Sequence, residues 1–273
     1  MRHSRMTVHD LRARRVGGQM TMLYVETRDE AAAAAEAGID ILSIIAPLWT
    51  PDMRAAAGDC FVQVGLLYAD LVTAEDYLRA AFAALKTGGD AFYCAAGLGT
   101  VRALADEGLA VIGHLGLVPS KATWTGGFRA VGRSADQALA CLRAAEALEA
   151  AGAVGAEIEV IPEAVAAEIA RRTGLVLFSM GAGAGCHAQY LFAEDVLGQT
   201  RGHRPRHAKT YRDFAAEDRR LQGERVAAFR DFADDVATGR YPEPRHLVTM
   251  PDTELAAFRA ALKDERAKPG VSP

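Results

Sequence analysis

The chain has 273 residues, half of them apolar, with 35 acidic against 31 basic side chains and a formal net charge of −4. This supplies enough apolar material for one large core, and a single α/β barrel commonly has about 250 residues. The mild acidity argues for a soluble protein and against a nucleic-acid or membrane-surface partner, either of which would want a clustered basic face. No apolar run reaches the roughly 20 residues of a bilayer span.

The basic run from Arg2 to Arg15 has no apolar stretch behind it and includes Asp10, so residues 1–18 are expected as a disordered or partly helical tail rather than a targeting leader. Short apolar runs then alternate with helical stretches. Residues 20–25 read as a strand and 28–37 as an alanine-rich helix ended by Gly38; 40–45 and 61–65 read as the next strands. Thr73 caps a helix that carries Glu75 and Asp76 in its first turn, runs to Lys86 and stops at Gly88. Residues 91–94, 110–115, 156–161 and 176–180 are further strand candidates, separated by helices starting at Thr100, Ser134 and Glu163. An eighth strand is expected within 207–211, a charged helix over 213–238, and a frayed end over 268–273. The alternation without a composition break predicts parallel strands covered by helices. Chain length and strand number favour a closed (β/α)8 TIM barrel over an open doubly wound sheet. The expected domains are a tail over 1–18, the barrel with its C-terminal helices over 19–250, and a helix and tail over 251–273.

Cys60, Cys94, Cys141 and Cys186 are scattered without a C-x-x-C pair, which reads as reduced thiols of a cytoplasmic protein. In a barrel, chemistry belongs at the carboxyl ends of the strands. His114 lies near one such end. Glu157 and Glu159 lie two apart on another strand and so share a face, while Ile158 points the other way. Cys186 and His187 follow the turn Gly181-Ala-Gly183-Ala-Gly185. A carboxylate pressed into an apolar strand end suits a general base, and a histidine can donate to a developing enolate. Glycine amides can approach a carboxylate closely. Each has a plainer reading as well: a satisfied core histidine, a structural ion pair between Glu159 and a barrel arginine, a tight turn, an inert cysteine.

Several segments stand in one order: Gly113-His-Leu-Gly-Leu117, Gly126-Gly127, Val131-Gly-Arg133, Leu148-Glu-Ala-Ala-Gly152, Glu159 with Pro162, Gly181-Ala-Gly183, Gly198, Gly202-His203, Ala208-Lys209 and Gly239-x-Tyr241-Pro242. In this the chain resembles the ketopantoate (3-methyl-2-oxobutanoate) hydroxymethyltransferases, which add a hydroxymethyl group to a branched 2-keto acid. The resemblance implies the barrel of the phosphoenolpyruvate mutase and isocitrate lyase superfamily, a small-molecule substrate, methylenetetrahydrofolate as one-carbon donor and a homo-oligomer. It also implies Glu159 as the base and His114 in the active site.

The chain departs from the family where that family holds magnesium. The positions aligned with the three ligand carboxylates are Ala46, Gly65 and Ala95, and the substrate-holding lysine becomes Tyr93. Ala46 and Pro47 stand where the family has an aspartate and a serine, and His187 begins the segment after the glycine turn. Magnesium wants oxygen ligands in octahedral array, and these aligned side chains offer none. His114, Glu159 and His187 form the alternative 2-His-1-carboxylate set to be tested. Together these residues predict an aldol-type transferase on a 2-oxo acid or similar carbonyl compound, with Glu159 as base and His114 as oxyanion or proton partner. Tyr93, Ala46, Pro47, Gly181, Gly183 and His187 are expected around the substrate. The alternatives are a metal-independent lyase, isomerase or transferase on the same barrel, or a non-catalytic homologue.

Overall fold

The computed structural model describes residues 5–202 and 204–266. His203 and the expected frayed end over 268–273 lie outside the described residues. The chain divides into two compact units, Met1–Phe214 and Ala215–Pro273.

The first unit is a closed barrel of eight parallel strands in sequence order. They are β1 (Met20–Tyr24), β2 (Ile41–Ile45), β3 (Phe61–Leu66), β4 (Ala91–Cys94), β5 (Val111–Gly116), β6 (Gly155–Glu159), β7 (Val176–Met180) and β8 (Ala188–Phe192). The helices are α1 (Val8–Ala13), α2 (Arg28–Glu36), α3 (Pro51–Ala56), α4 (Ala74–Lys86), α5 (Leu98–Asp106), α6 (Ala135–Ala150), α7 (Glu163–Arg172) and α8 (Ala193–Leu197). Threonines or a serine start most of them: the side chains of Thr7, Thr27, Thr50, Thr73 and Ser134 each accept an orphan amide of the first turn. The eighth strand is thus 188–192, not the expected 207–211. Seven residues carry the chain from the end of β7 to the start of β8 with no helix between them.

Strand alternation sorts the side chains into two cores. One set packs between the sheet and its helices, Ile44, Val64, Phe92, Val111, Ile158 and Leu177 among them. The other fills the lumen, where Met20, Met22, Ile41, Phe61 and Val176 close the floor. Leu11 of α1, within the segment expected as a tail, joins this lumen cluster with no exposed surface. Burying a leucine gives on the order of 2 kcal/mol, enough to hold a six-residue helix that would not persist alone.

The lumen changes character toward the strand ends. Its inward positions there are Ser43, Gln63, Tyr93, His114, Glu157, Glu159 and Tyr190, a polar layer above an apolar floor. The second unit contains most of α9 (Phe214–Thr238) and α10 (Asp252–Arg266). No residue of α9 is buried, and Tyr241 rests edge-on against Phe232 with ring centroids 5.6 Å apart. The sequence reading drew a boundary at 250, whereas the two compact units divide between Phe214 and Ala215. Among the described residues, no helix is long and apolar enough to cross a membrane.

Candidate active site

A cavity of about 480 Å³ opens at the carboxyl ends of the strands. Glu159, the last residue of β6, is 92% buried within its wall, and its Oε2 accepts no hydrogen bond among the described residues. Two backbone features hold it there. Gly116 ends β5 opposite Glu159, at φ +84, and a Cβ at that position would overlap the Glu159 carbonyl oxygen. Val160, immediately after the carboxylate, sits at φ +48. A β-branched residue in that region carries on the order of 1–3 kcal/mol of strain, which clusters at functional sites.

His114 stands between two carboxylates. Its Nε2 lies 2.7 Å from the Leu117 carbonyl and 3.4 Å from Glu159 Oε2. Its Nδ1 lies 2.8 Å from the Tyr93 hydroxyl and 3.5 Å from Glu157 Oε2. A carbonyl can only accept, so Nε2 carries a proton. Burial pulls the imidazole's pKa down, but the close approach and charges of Glu157 and Glu159 outweigh it and push the value up to about 9. His114 is therefore an imidazolium at neutral pH, and Nδ1–H donates to the Tyr93 oxygen. Burial and then the neighbouring glutamate charges raise the Tyr93 pKa, so the phenol keeps its own proton.

Glu157 is held from behind. Gln63 Nε2 donates to Glu157 Oε1 at 2.6 Å and reaches Ser43 Oγ at 3.2 Å, and Tyr190 bonds to Ser43 in turn. This layer orients the histidine. Sequence reasoning passed over Ser43, Gln63 and Tyr190. The available signal was parity: each is a polar or amphipathic side chain inside an apolar strand, two residues from a lumen-facing Ile41, Phe61 or Ala188. His207 also escaped notice as a site neighbour. It packs on Gly181 so closely that a Cβ there would lie 2.9 Å from its Nδ1. Burial lowers its pKa even though Glu159 and Asp195 pull it upward.

Of the expected site residues, Glu159, His114 and Tyr93 come together at the cavity. Ala46 and Pro47 form a 3-10 turn after β2, and it is Ile45 before them that lines the wall. Gly181 follows the lining residue Met180. Gly183 turns outward, and the Ala184 amide is taken by Glu163 Oε1 of α7 at 3.2 Å, so this turn serves a protein carboxylate and not the cavity. His187 is at the other end of the barrel. The 181–187 segment has already returned to the floor, where His187 Nδ1 accepts the Leu177 amide at 2.9 Å and its carbonyl accepts the Met20 amide. Burial, then the charge of Arg15, pushes its pKa down to about 4. The set of His114, Glu159 and His187 is thus not assembled. Among the described residues the ionic neighbour of Glu159 is His114, not an arginine.

The positions that the sequence reading aligned with the family's magnesium ligands do not suit that ion. Gly65 and Ala95 line the cavity beside Leu66, and none of Ala46, Gly65 and Ala95 offers a side-chain oxygen. Among the described residues, no three His, Cys, Asp or Glu side chains are grouped so as to hold a metal ion.

Residues 52–244 match the family described as Ketopantoate hydroxymethyltransferase. The chain belongs to this family. Ala46 precedes the matched residues, and Gly65, Tyr93, Ala95, His114 and Glu159 fall within them. The 3-methyl-2-oxobutanoate hydroxymethyltransferase of Nitratidesulfovibrio vulgaris is 39% identical over 162 residues, which are 59% of this chain and 50% of that protein. Its counterpart in Shewanella amazonensis is 37% identical over 189 residues, 66% of this chain and 69% of that protein. The chain therefore spans about half the length of the first of these relatives. Phosphoenolpyruvate phosphomutase from Streptomyces platensis superimposes with a TM-score of 0.50 at 15% identity, over 96% of this chain and 99% of that one. The shared fold is the barrel expected from the sequence.

Proposed function

We propose that this member of the ketopantoate hydroxymethyltransferase family is a carbon–carbon bond-forming transferase of the aldol type that no longer depends on magnesium. Glu159 takes a proton from the carbon beside a substrate carbonyl, and the resulting enolate adds to a one-carbon unit. The observation that carries this reading is the buried Glu159 carboxylate in the cavity wall, beside the His114–Tyr93 pair. Its Oε2 accepts no hydrogen bond among the described residues and has the 3.4 Å ion pair with His114 Nε2. A buried carboxylate oxygen with no hydrogen bond is placed to accept a proton from a substrate carbon.

The enolate oxygen needs a donor. Both ring nitrogens of His114 are engaged by Leu117 and Tyr93, so the group that meets the oxygen is the Tyr93 hydroxyl. Because Tyr93 accepts from the imidazolium, its own proton is free to turn to the cavity, and the positive charge behind it strengthens that donation. His114 acts through Tyr93, and Glu157 keeps His114 charged. No step runs through a metal ion: the donor set at the aligned positions lacks oxygen, and the imidazolium–phenol pair supplies the polarising charge instead.

The test is α-proton exchange in D2O, read by NMR, on a panel of small carbonyl compounds that includes 2-oxoisovalerate. Wild-type protein should catalyse exchange on at least one, and Glu159→Gln should lose about 10²–10⁴-fold. Unchanged exchange in the variant would end the proposal. Product formation with methylenetetrahydrofolate then reports the one-carbon transfer itself.

A further inference from the structure

The charges on the cavity wall specify a ligand. Among the described residues five carboxylates line it, those of Glu26, Glu30, Glu157, Glu159 and Glu194, with one histidine and neither lysine nor arginine. The neighbouring Lys121 ammonium is committed to the Ala95 carbonyl and lies 4.9 Å over the Tyr68 ring, away from Glu26 and Glu194 in the chain. The single imidazolium is already flanked by Glu157 and Glu159. The other three carboxylates stand at the rim on β1, α2 and α8 and their adjoining residues, and they crowd one another. The Glu194 carboxyl is held above its ordinary value by burial and then by the charges of Asp195, Glu26 and Glu30.

Crowded carboxylates alone would be a solvated rim. Two further observations point inward to a ligand. The Glu159 carboxylate, buried in the same wall, has its Oε2 in no hydrogen bond among the described residues and in the 3.4 Å ion pair with His114. The wall between floor and rim is aromatic: the Tyr24 and Phe192 rings lie 4.9 Å apart by centroid, and Tyr190 follows 5.8 Å from Phe192. The Tyr24 hydroxyl donates to Glu26 Oε1 at 3.0 Å, which ties the ring and the carboxylate into one surface. Aromatic faces beside carboxylates attract a cation and give an anion nothing. A bare 2-oxo acid would bring its carboxylate into a wall of like charge. An ammonium group carrying N–H donors would find acceptors at the rim and ring faces below.

We propose that the mouth takes a substrate bearing a protonated amine, held by Glu26 and Glu194 against the Tyr24 and Phe192 rings, with its carbonyl end directed down to Glu159 and Tyr93. The carbonyl half rests on the reading of the preceding section, and the ammonium half stands without it. Glu30 contributes charge but is committed locally, since its Oε2 accepts the Glu26 and Thr27 amides at the start of α2.

Binding of three size-matched probes to the full chain separates the cases: isopentylamine, isopentanol and isovalerate, which are cationic, neutral and anionic at pH 7. The amine should bind at least roughly tenfold more tightly than the alcohol, and isovalerate most weakly. The preference should shrink at higher salt and be lost in the Glu26→Gln/Glu194→Gln double variant, whose two changes lie at exposed positions. Equal or tighter binding of isovalerate, no discrimination among the three, or a preference unaltered in the double variant would overturn the proposal. The wild-type ranking alone decides the matter if the variant does not fold. Failure here leaves α-proton exchange by Glu159 untouched, and loss of exchange leaves the charge ranking untouched, so the two readings fall separately.

Discussion

At the mouth of the barrel, His114 is sandwiched between Glu157 and Glu159 and its pKa is pushed up to about 9. At the floor, His187 is half-buried near Arg15 and its pKa is pushed down to about 4. Burial, nearly complete for the His114 side chain and partial for His187, disfavours charge in each. What separates them is the sign of the neighbours: two carboxylates overturn the burial cost at one end, and a guanidinium adds to it at the other. The mouth is thereby a charged, poised site, and the floor histidine is a neutral acceptor for a backbone amide.

The comparison can be broken from the mouth first. Glu159→Gln removes the base and should cost the 10²–10⁴-fold in exchange rate already stated, the largest effect in the molecule. Tyr93→Phe deletes the donor to the enolate oxygen. It should lower turnover by roughly 10²–10³-fold while leaving the His114 titration in place, as NMR of the ring protons would report.

Glu157→Gln makes the mouth more like the floor. With one carboxylate gone, the His114 pKa should fall, and the alkaline limb of the pH–rate profile should move to lower pH with it. Stability follows the same sign. The folded value of His114 lies above the ordinary 6.5, so its contribution is complete below 6.5 and is lost as the pH rises to about 9. The variant should therefore show a flatter Tm between those limits, and an unchanged alkaline slope would contradict the assignment. The smallest effect belongs to the floor. His187 has a folded value below 6.5, so protonation opposes folding and stability falls as the pH drops from 6.5 to about 4. His187→Gln should flatten that acid slope with no effect on exchange.

The barrel was legible because its causes are local. Alternating apolar runs, threonine and serine caps and glycine stops recur along the chain, and each is read within a few residues. The position of β8 was not, because the link from Met180 to Ala188 replaces the customary helix with seven residues of turn. A segment that leaves the mouth and reaches the floor so quickly carries His187 with it, which is why a histidine just past a strand end proved to be at the opposite pole. Glu157 and Glu159 were legible as sharing a face, because period two in a strand is a hard geometric rule. Gln63 of β3, which holds Glu157, and Ser43 of β2 behind it lie roughly a hundred residues earlier in the chain, and only closure of the barrel brings them together. The crowding of the rim carboxylates of Glu26 and Glu194 is likewise invisible until β1 and β8 pair.

The most direct test of a mouth that polarises its substrate with an imidazolium–phenol pair is α-proton exchange measured before and after exhaustive chelation with EDTA. Exchange should persist at the same rate in the chelated protein, show no response to added magnesium, and fall by about 10²–10⁴-fold in Glu159→Gln. Exchange that disappears on chelation and returns with magnesium would contradict the account.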